Sequence, residues 1–384
     1  MDKTEIMDPE ISHGKNRTFS PLKNSSRWTC PYLGLPTGVT ECAYCLCPAL
    51  QMQQHIRVSI IVPCKEINAL VEQCVHSCLA LEYQDFEILL LPDELPDGVK
   101  FPKTRIIPTG KVKPSVKRNL AVEMATGKIC AFLDSDAYPA PDWLNQAVSW
   151  FGTDHIDCVG GPNITPAHQP LLKEVGGDVL SSILCSGPFA LRYKRARTES
   201  FQTELPTCNL LIRKSVFSRL QGFEVTLLTA EDSKLCFEIN ETGHKVLYSP
   251  DVIVYHHRRA LFIPHLKQIS SYANDKAKLV KQKFTWDKLI YTVPSIFVLG
   301  LILGPILSAA FPALLPLFVG MLGLYVGLIV ISYLVEIRKP SLLRLVLFAV
   351  AIPMTHFVYG ISFIFSLTTR AGAHSVEKAN ESVP

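Results

Sequence analysis

From Val58 onward the chain alternates short apolar runs with segments of helical periodicity. Val58–Val62 (VSIIV), Phe86–Leu91 (FEILLL) and Ile129–Leu133 (ICAFL) are near-continuous apolar runs of strand length, and a weaker strand is expected at Arg105–Ile107. Between them, apolar residues recur at helical spacing over Ala69–Leu81 and Ser115–Ala125, and another helix starts near Pro141. Strands apolar along their whole length and separated by helices predict an α/β domain with a mostly parallel sheet covered on both faces. Ligands of such sheets sit beyond the carboxyl ends of the strands, so chemistry is to be sought just after each run. Residues 170–205 are less regular and more polar, as expected of a mobile lid or acceptor loop. Helical patterning returns from Arg213 to Gly222 and from Glu231 to Thr242, where Gly243 stops it.

The last third differs in kind. Residues 289–310, 311–334 and 342–367 are each long enough to cross a ~30 Å hydrocarbon core, and their one Lys, Arg, Asp or Glu is Arg344, near the start of the third. Three transmembrane helices are therefore expected across 288–369. Lys276, Lys278, Lys281, Lys283 and Lys288 precede the first run, and Arg338, Lys339 and Arg344 separate the second from the third. Basic flanks face the cytoplasm, which predicts a multi-pass protein of the cell (inner) membrane, its catalytic domain cytoplasmic and its C-terminus outside. Residues 261–287 mix apolar and basic positions, which suits an amphipathic interfacial helix or, equally, a plain connector. Around these segments, 1–28 reads as a flexible tail, 29–56 as a Cys-rich segment, 57–260 as the α/β domain and 370–384 as a second tail.

The net charge of +4 on 384 residues gives no case for nucleic-acid binding. Most of the 12 cysteines stand singly among apolar residues, and residues 1–28 contain no apolar leader core. A reduced cytoplasmic setting is expected. Cys30, Cys42, Cys45 and Cys47 are the exception: four thiolates this close can hold a structural Zn²⁺, with free or acylated cysteines an equal alternative.

The most informative residues follow the ICAFL strand. Asp134 and Asp136, spaced i and i+2, emerge at the ligand edge, where hard oxygen donors suit Mg²⁺ or Mn²⁺ bridging two phosphates. Pro63 and Glu66 follow the first strand and Asp93 the second, while Lys117, Arg118 and Asn119 lie one helix before the paired carboxylates. Each has an ordinary reading as turn, cap or helix-end residue. Together they surround one crevice.

The segments VSIIVPCKE, EILLLPDE, KRNLAVEMATGKICAFLDSDAYPAPDWL, VGGP, TCNLLIRKSVFSRLQGF, AEDSKLCFEINETGHKVLYSP and VIVYHHRR resemble, in order and spacing, the family 2 glycosyltransferases of GT-A fold. The likeness is to membrane-attached members that assemble exopolysaccharide and lipid-linked glycans. It implies a nucleotide-sugar donor, with Asp93 at the nucleobase and Pro63 and Glu66 lining the base and ribose pocket. It implies that Asp134 meets the ribose or the metal, that Asp136 ligates the metal, and that His256 completes the metal site. Arg118, Asn209 and Arg258 would also serve the donor, with Trp143 nearby. Asp232 would be the general base for an inverting displacement. Pro-Cys-Lys-Glu departs from the family's commoner form with Asn, and the Gln-x-x-Arg-Trp motif of processive synthases is absent. Transfer of a single sugar to a lipid-linked or other membrane-associated acceptor is the favoured expectation, with UDP the default nucleotide. Alternatives are transfer to polyprenyl phosphate itself and a non-catalytic membrane scaffold on a degenerate domain.

Overall fold

The computed structural model describes residues 56–369, apart from 154 and 338. The expected Cys30, Cys42, Cys45 and Cys47 site falls outside the described residues.

In chain order the strands are β1 (Val58–Pro63), β2 (Phe86–Leu91), β3 (Thr104–Ile106), β4 (Ile129–Phe132), β5 (Ala137–Pro139) and β6 (Ile156–Gly160). They continue with β7 (Asn163–Ile164), β8 (Ser200–Phe201), β9 (Leu210–Arg213), β10 (Lys245–Tyr248) and β11 (Val254–His256). The main sheet runs β3-β2-β1-β4-β9-β6-β10-β8, and a small second sheet runs β5-β11-β7. β1 pairs in parallel with β2 and β4, and β2 with β3. β9 alone among the central strands is antiparallel, to both β4 and β6. Side chains of β1 alternate between two cores, as the pleat requires. Ile60 and Val62 pack with Cys74, Val75 and Trp143 on one face, while Ile61 packs with Ala121, Leu235 and Ile239 on the other.

The covering helices are α1 (Ala69–Leu79), α2 (Pro114–Met124), α3 (Trp143–Val148), α4 (Leu171–Ser181), α5 (Ile183–Ser186), α6 (Lys214–Arg219) and α7 (Glu231–Glu241). α1 starts where Asn68 Oδ1 accepts from the amides of Leu70 and Val71, at 3.0 and 3.2 Å, satisfying two otherwise orphaned donors. Pro114 opens α2, a position where its missing N–H costs nothing. α6 is closed by Gly222 at φ +79°, a conformation that favours glycine. Asn119 clamps that turn, exchanging 2.9 Å bonds with the backbone of Phe223.

The region expected to be a mobile lid is instead helical: α4, α5 and a 3-10 turn at Gly187–Arg192 occupy most of it. The reason is tertiary. Val175 and Val179 bury against Phe348, Ile352 and Tyr333, partners that lie over 150 residues away in sequence.

The chain then forms α8 (Ile263–Gln282), α9 (Val293–Ala310), α10 (Leu315–Glu336) and α11 (Leu342–Thr368). Trp286–Ala310, Pro312–Glu336 and Leu342–Thr368 are long and apolar enough to cross a membrane. α8, the segment read as interfacial or connecting, lies lengthwise on α11. His265 Nε2 meets Thr355 Oγ1 at 2.9 Å, Ser270 and Ser362 hydroxyls meet at 2.9 Å, and Ser366 Oγ donates to Asn274 O at 3.1 Å.

Candidate active site

The carboxyl ends of β1 and β2 are zipped together beyond the sheet: Cys64 N donates to Leu91 O at 3.0 Å and Asp93 N to Lys65 O at 2.9 Å. This brings Pro63, the last residue of β1, next to Glu66 and Asp93 of the loops that follow the two strands, with Pro63 buried and Glu66 exposed. Lys117, from the first turns of α2, is buried behind them. Its ammonium donates to Cys64 O at 2.7 Å, to Leu91 O at 3.1 Å and to Asp93 Oδ1 at 2.5 Å. One charged group thus fixes both strand ends and the expected nucleobase contact, a role that sequence reasoning did not assign to Lys117.

Arg118, the next residue, points to the other side of α2. It donates to Asp134 Oδ1 at 2.7 Å and to Glu231 Oε1 at 3.0 Å, and is itself buried. Asp134 and Asp136 stand beyond β4, and His256 ends β11. Ligand atoms of these three residues lie within 4.8 Å of one another. Burial pushes the Asp136 carboxyl up, but the adjacent His256 and Arg259 more than reverse this, holding it below its ordinary value. Two carboxylates and an imidazole in one cluster fit a divalent cation such as Mg²⁺ or Mn²⁺.

Arg258 organises this cluster from behind. Its Nε donates to Thr165 Oγ1 at 3.0 Å, a second nitrogen donates to Asn163 O, and Nη1 lies 3.2 Å from His256 Nδ1. Arginine is a donor only, so Nδ1 accepts and the imidazole proton sits on Nε2, which is 3.1 Å from Asp136 Oδ1. For Nε2 to ligate a cation, the ring would adopt its other neutral tautomer, with the proton on Nδ1. Arg258 is buried, so its contacts orient the histidine.

Asp232 lies in the first turn of α7, beside Glu231. The helix N-terminus favours negative charge there, and Asp232 Oδ1 accepts from Ser233 N at 2.7 Å. Burial nevertheless raises Asp232 above its ordinary value, with Arg192 and Lys276 pulling it back and Glu204 adding to the rise. Glu231 is raised to about 7 by burial and by Asp232, against the pull of Arg118. A second charged layer backs Asp232. Lys276 of α8 donates to Ser233 Oγ at 2.5 Å and to Glu204, whose other oxygen is 3.0 Å from Arg192. Sequence reasoning missed Arg192, Glu204 and Lys276, because they come from the supposed lid and the supposed connector.

Asn209 is fully buried, and its side chain is spent inside the fold. Its amide donates to Pro162 O at 3.1 Å and Val252 O at 2.7 Å, while its Oδ1 accepts from Trp143 Nε1 at 2.9 Å. The expected donor contact of Asn209 is thereby corrected. It ties β9 to the crossover between the two sheets, and Trp143 packs α3. Two surface hollows, one by Arg57 and Glu87 and one by Lys128 and Arg213, lie at the opposite sheet edge. Neither carries the paired carboxylates that the chemistry requires.

A family model described as "Glycosyltransferase like family 2" matches residues 55–286. The chain belongs to that family. Its α/β domain is the mostly parallel GT-A-type sheet with the acidic cluster at the carboxyl edge. It is 26% identical over 166 residues to the pre-mycofactocin glycosyltransferase of Mycobacterium tuberculosis, covering 43% of this chain and 34% of that protein. With glycosyltransferase AglE of Haloferax volcanii it shares 24% identity over 220 residues, covering 53% and 67% of the two chains. The match thus spans about a third of the length of the mycobacterial relative. Among solved structures, the mannosyltransferase PcManGT from Pyrobaculum calidifontis, in complex with GDP-Man and Mn²⁺, is similar. The likeness has a TM-score of 0.49 and 18% identity, and covers 81% of this chain and 87% of that one.

Proposed function

We propose that this family 2 glycosyltransferase is an inverting, metal-dependent enzyme that moves a single sugar from a nucleotide sugar, UDP-linked by default, to a lipid-linked or other membrane-associated acceptor in polysaccharide or glycan assembly. The observation that carries the reading is the cluster of Asp134, Asp136 and His256 within 4.8 Å, joined through Arg118 and Glu231 to the buried Asp232. Asp93, held by Lys117, with Pro63 and Glu66, receives the base and ribose. A divalent cation held by Asp134, Asp136 and His256 would supply positive charge for the departing diphosphate. Asp232 takes the proton of the acceptor hydroxyl as its oxygen bonds to the anomeric carbon and the bond to the diphosphate breaks. A carboxyl raised by burial is the stronger base for that step. The catalytic domain works at the cytoplasmic face of the cell membrane, where tethering raises the effective concentration of membrane acceptors.

Calorimetry on the detergent-purified chain with UDP and GDP, with and without Mn²⁺, tests the donor site without knowledge of the acceptor. Binding of one nucleotide that requires Mn²⁺ and is lost in Asp136→Ala is the expected result. Failure of both nucleotides under every metal condition overturns the reading in favour of a scaffold.

A further inference from the structure

The three long apolar helices are not alike. α11 exposes Val346, Val350, Met354, Phe357, Ile361 and Phe365, one uninterrupted apolar stripe at helical spacing along its length. Its opposite face is bonded to the catalytic unit from end to end. At the start, Arg344 pairs with Glu174 and Asp178 of α4. At mid-helix, His356 Nε2 lies 3.1 Å from Leu184 O and Thr355 bonds His265. At the far end, Lys281 of α8 donates to Ser366 O at 2.5 Å and to Thr369 O at 2.6 Å. An α-helix rises about 1.5 Å per residue, so these charged anchors stand on the order of 35–40 Å apart along α11. That distance exceeds the hydrocarbon core of a bilayer, about 30 Å.

The register of α9 against α11 makes the same point independently. Three successive crossings would run the first and third helices in the same direction, with their starts level. Instead, the first turn of α9 meets the later part of α11: Ser295 Oγ donates to Gly360 O at 3.2 Å, and a Cβ at Gly360 would lie 2.7 Å from Pro294 O. Gly360 is about 27 Å along α11 from Leu342. Were α11 perpendicular to the membrane, α9 would begin near the far surface. α8, with its exposed Lys267, Lys278 and Lys281, would then lie in hydrocarbon, where such charges are strongly disfavoured. The end of α10 also returns to the catalytic unit, where Glu336 Oε1 accepts from Ile183 N at 3.2 Å and pairs with Lys194.

We propose that α11 does not cross the membrane but lies in the plane of its surface beneath the catalytic domain, its apolar stripe set among the lipid chains just below the headgroups. α9 and α10 then enter the bilayer as one hairpin that returns to its starting side. The C-terminal end of the chain is thus on the same side as the catalytic domain, the reverse of the arrangement expected from three sequential spans. The occupant of the exposed stripe is the bilayer itself, because α11 packs directly against both helices of the hairpin, whose own exposed residues are apolar.

The test uses the full chain carrying one epitope at its N-terminus and another at its C-terminus, in sealed membrane vesicles of known orientation. Protease added outside should remove both epitopes in the same vesicle orientation and spare both in the other. Loss of one epitope with protection of the other overturns the proposal. A depth measurement in reconstituted vesicles supplies a second readout, using Val346→Trp, Phe357→Trp and Phe365→Trp with lipids brominated at shallow or deep chain positions. For an in-plane helix, all three added tryptophans are quenched best by the shallow bromines. Deep quenching of Phe357→Trp with shallow quenching at the two ends would mean a crossing helix and overturn the proposal.

Discussion

The α/β domain and the C-terminal helices are both rich in aliphatic residues and use them in opposite ways. Every residue of β1, β2 and β4 is buried. In α9 and α10 the same residue types point outward, with Leu317 72% and Leu324 65% exposed. The first region is organised by exclusion of water around its own side chains. The second leaves its apolar surface for lipid, where burial inside the protein brings no comparable gain. α11 combines the two, with one face treated as a domain core and the other as a lipid surface. Apolar content therefore reports that a segment avoids water, and only its partners report what it contacts instead.

Three measurements sharpen that contrast. The largest effect is expected in the domain that carries the chemistry: Asp232→Asn should lower kcat by about 10²–10⁴-fold, the usual contribution of a positioned base, with little change in thermal unfolding. Initial rates with labelled donor and membrane acceptor check this. A variant that keeps most of its rate would point instead to a lipid phosphate acceptor, which already carries charge. Next, the two faces of α11 should respond unequally. Phe348→Ala, on the face against α4, should cost about 3–5 kcal/mol, while Phe357→Ala, on the apolar stripe, should stay within about 0.5 kcal/mol in detergent. Denaturant unfolding of both variants decides it, and equal costs would erase the distinction between the faces.

The smallest effect is one of pH. Asp232 is raised by burial, so the acid limb of kcat should lie above the range of an ordinary aspartate. Glu204 is driven the other way: burial raises it, but Arg192 and Lys276 overcome this and bring it to about 2. A depressed carboxyl contributes stability that is present above its unfolded value, near 4.5, and is lost as pH falls through its folded value. Activity should therefore fail at a higher pH than the Glu204 anchor does. Rate profiles and unfolding temperatures measured over the same acid series should separate, and their coincidence would count against Asp232 as the titrating base.

What the sequence disclosed follows from how local the signal was. β1, β2 and β4 are continuous apolar runs, and Asp134 and Asp136 sit directly after one of them, so strand and site were legible together. The Glu204–Lys276 pair joins residues 72 positions apart, and neither has a neighbour that announces the other. α4 looked irregular because Val175 and Val179 find their apolar partners in α10 and α11. Asn209 matched a motif, yet its amide is consumed by Pro162, Val252 and Trp143. Motif order locates a residue without saying which way it faces. One overlooked signal was available: Arg344, Thr355, Ser362 and Ser366 recur on a single face of the third apolar run, a pattern foreign to a helix surrounded by lipid.

α4 also sets a dimension. One side of it touches the back of the crevice, where Gly176 approaches Arg259 O and Gly177 approaches Thr165. The other side carries Glu174 and Asp178 to Arg344 of α11. With α11 lying flat, the reacting centre is held above the lipid by roughly one helix diameter, about 10 Å. That spacing acts as a gauge. For the membrane-associated acceptor proposed above, that height would be the distance over which its headgroup must carry the reactive hydroxyl to reach Asp232.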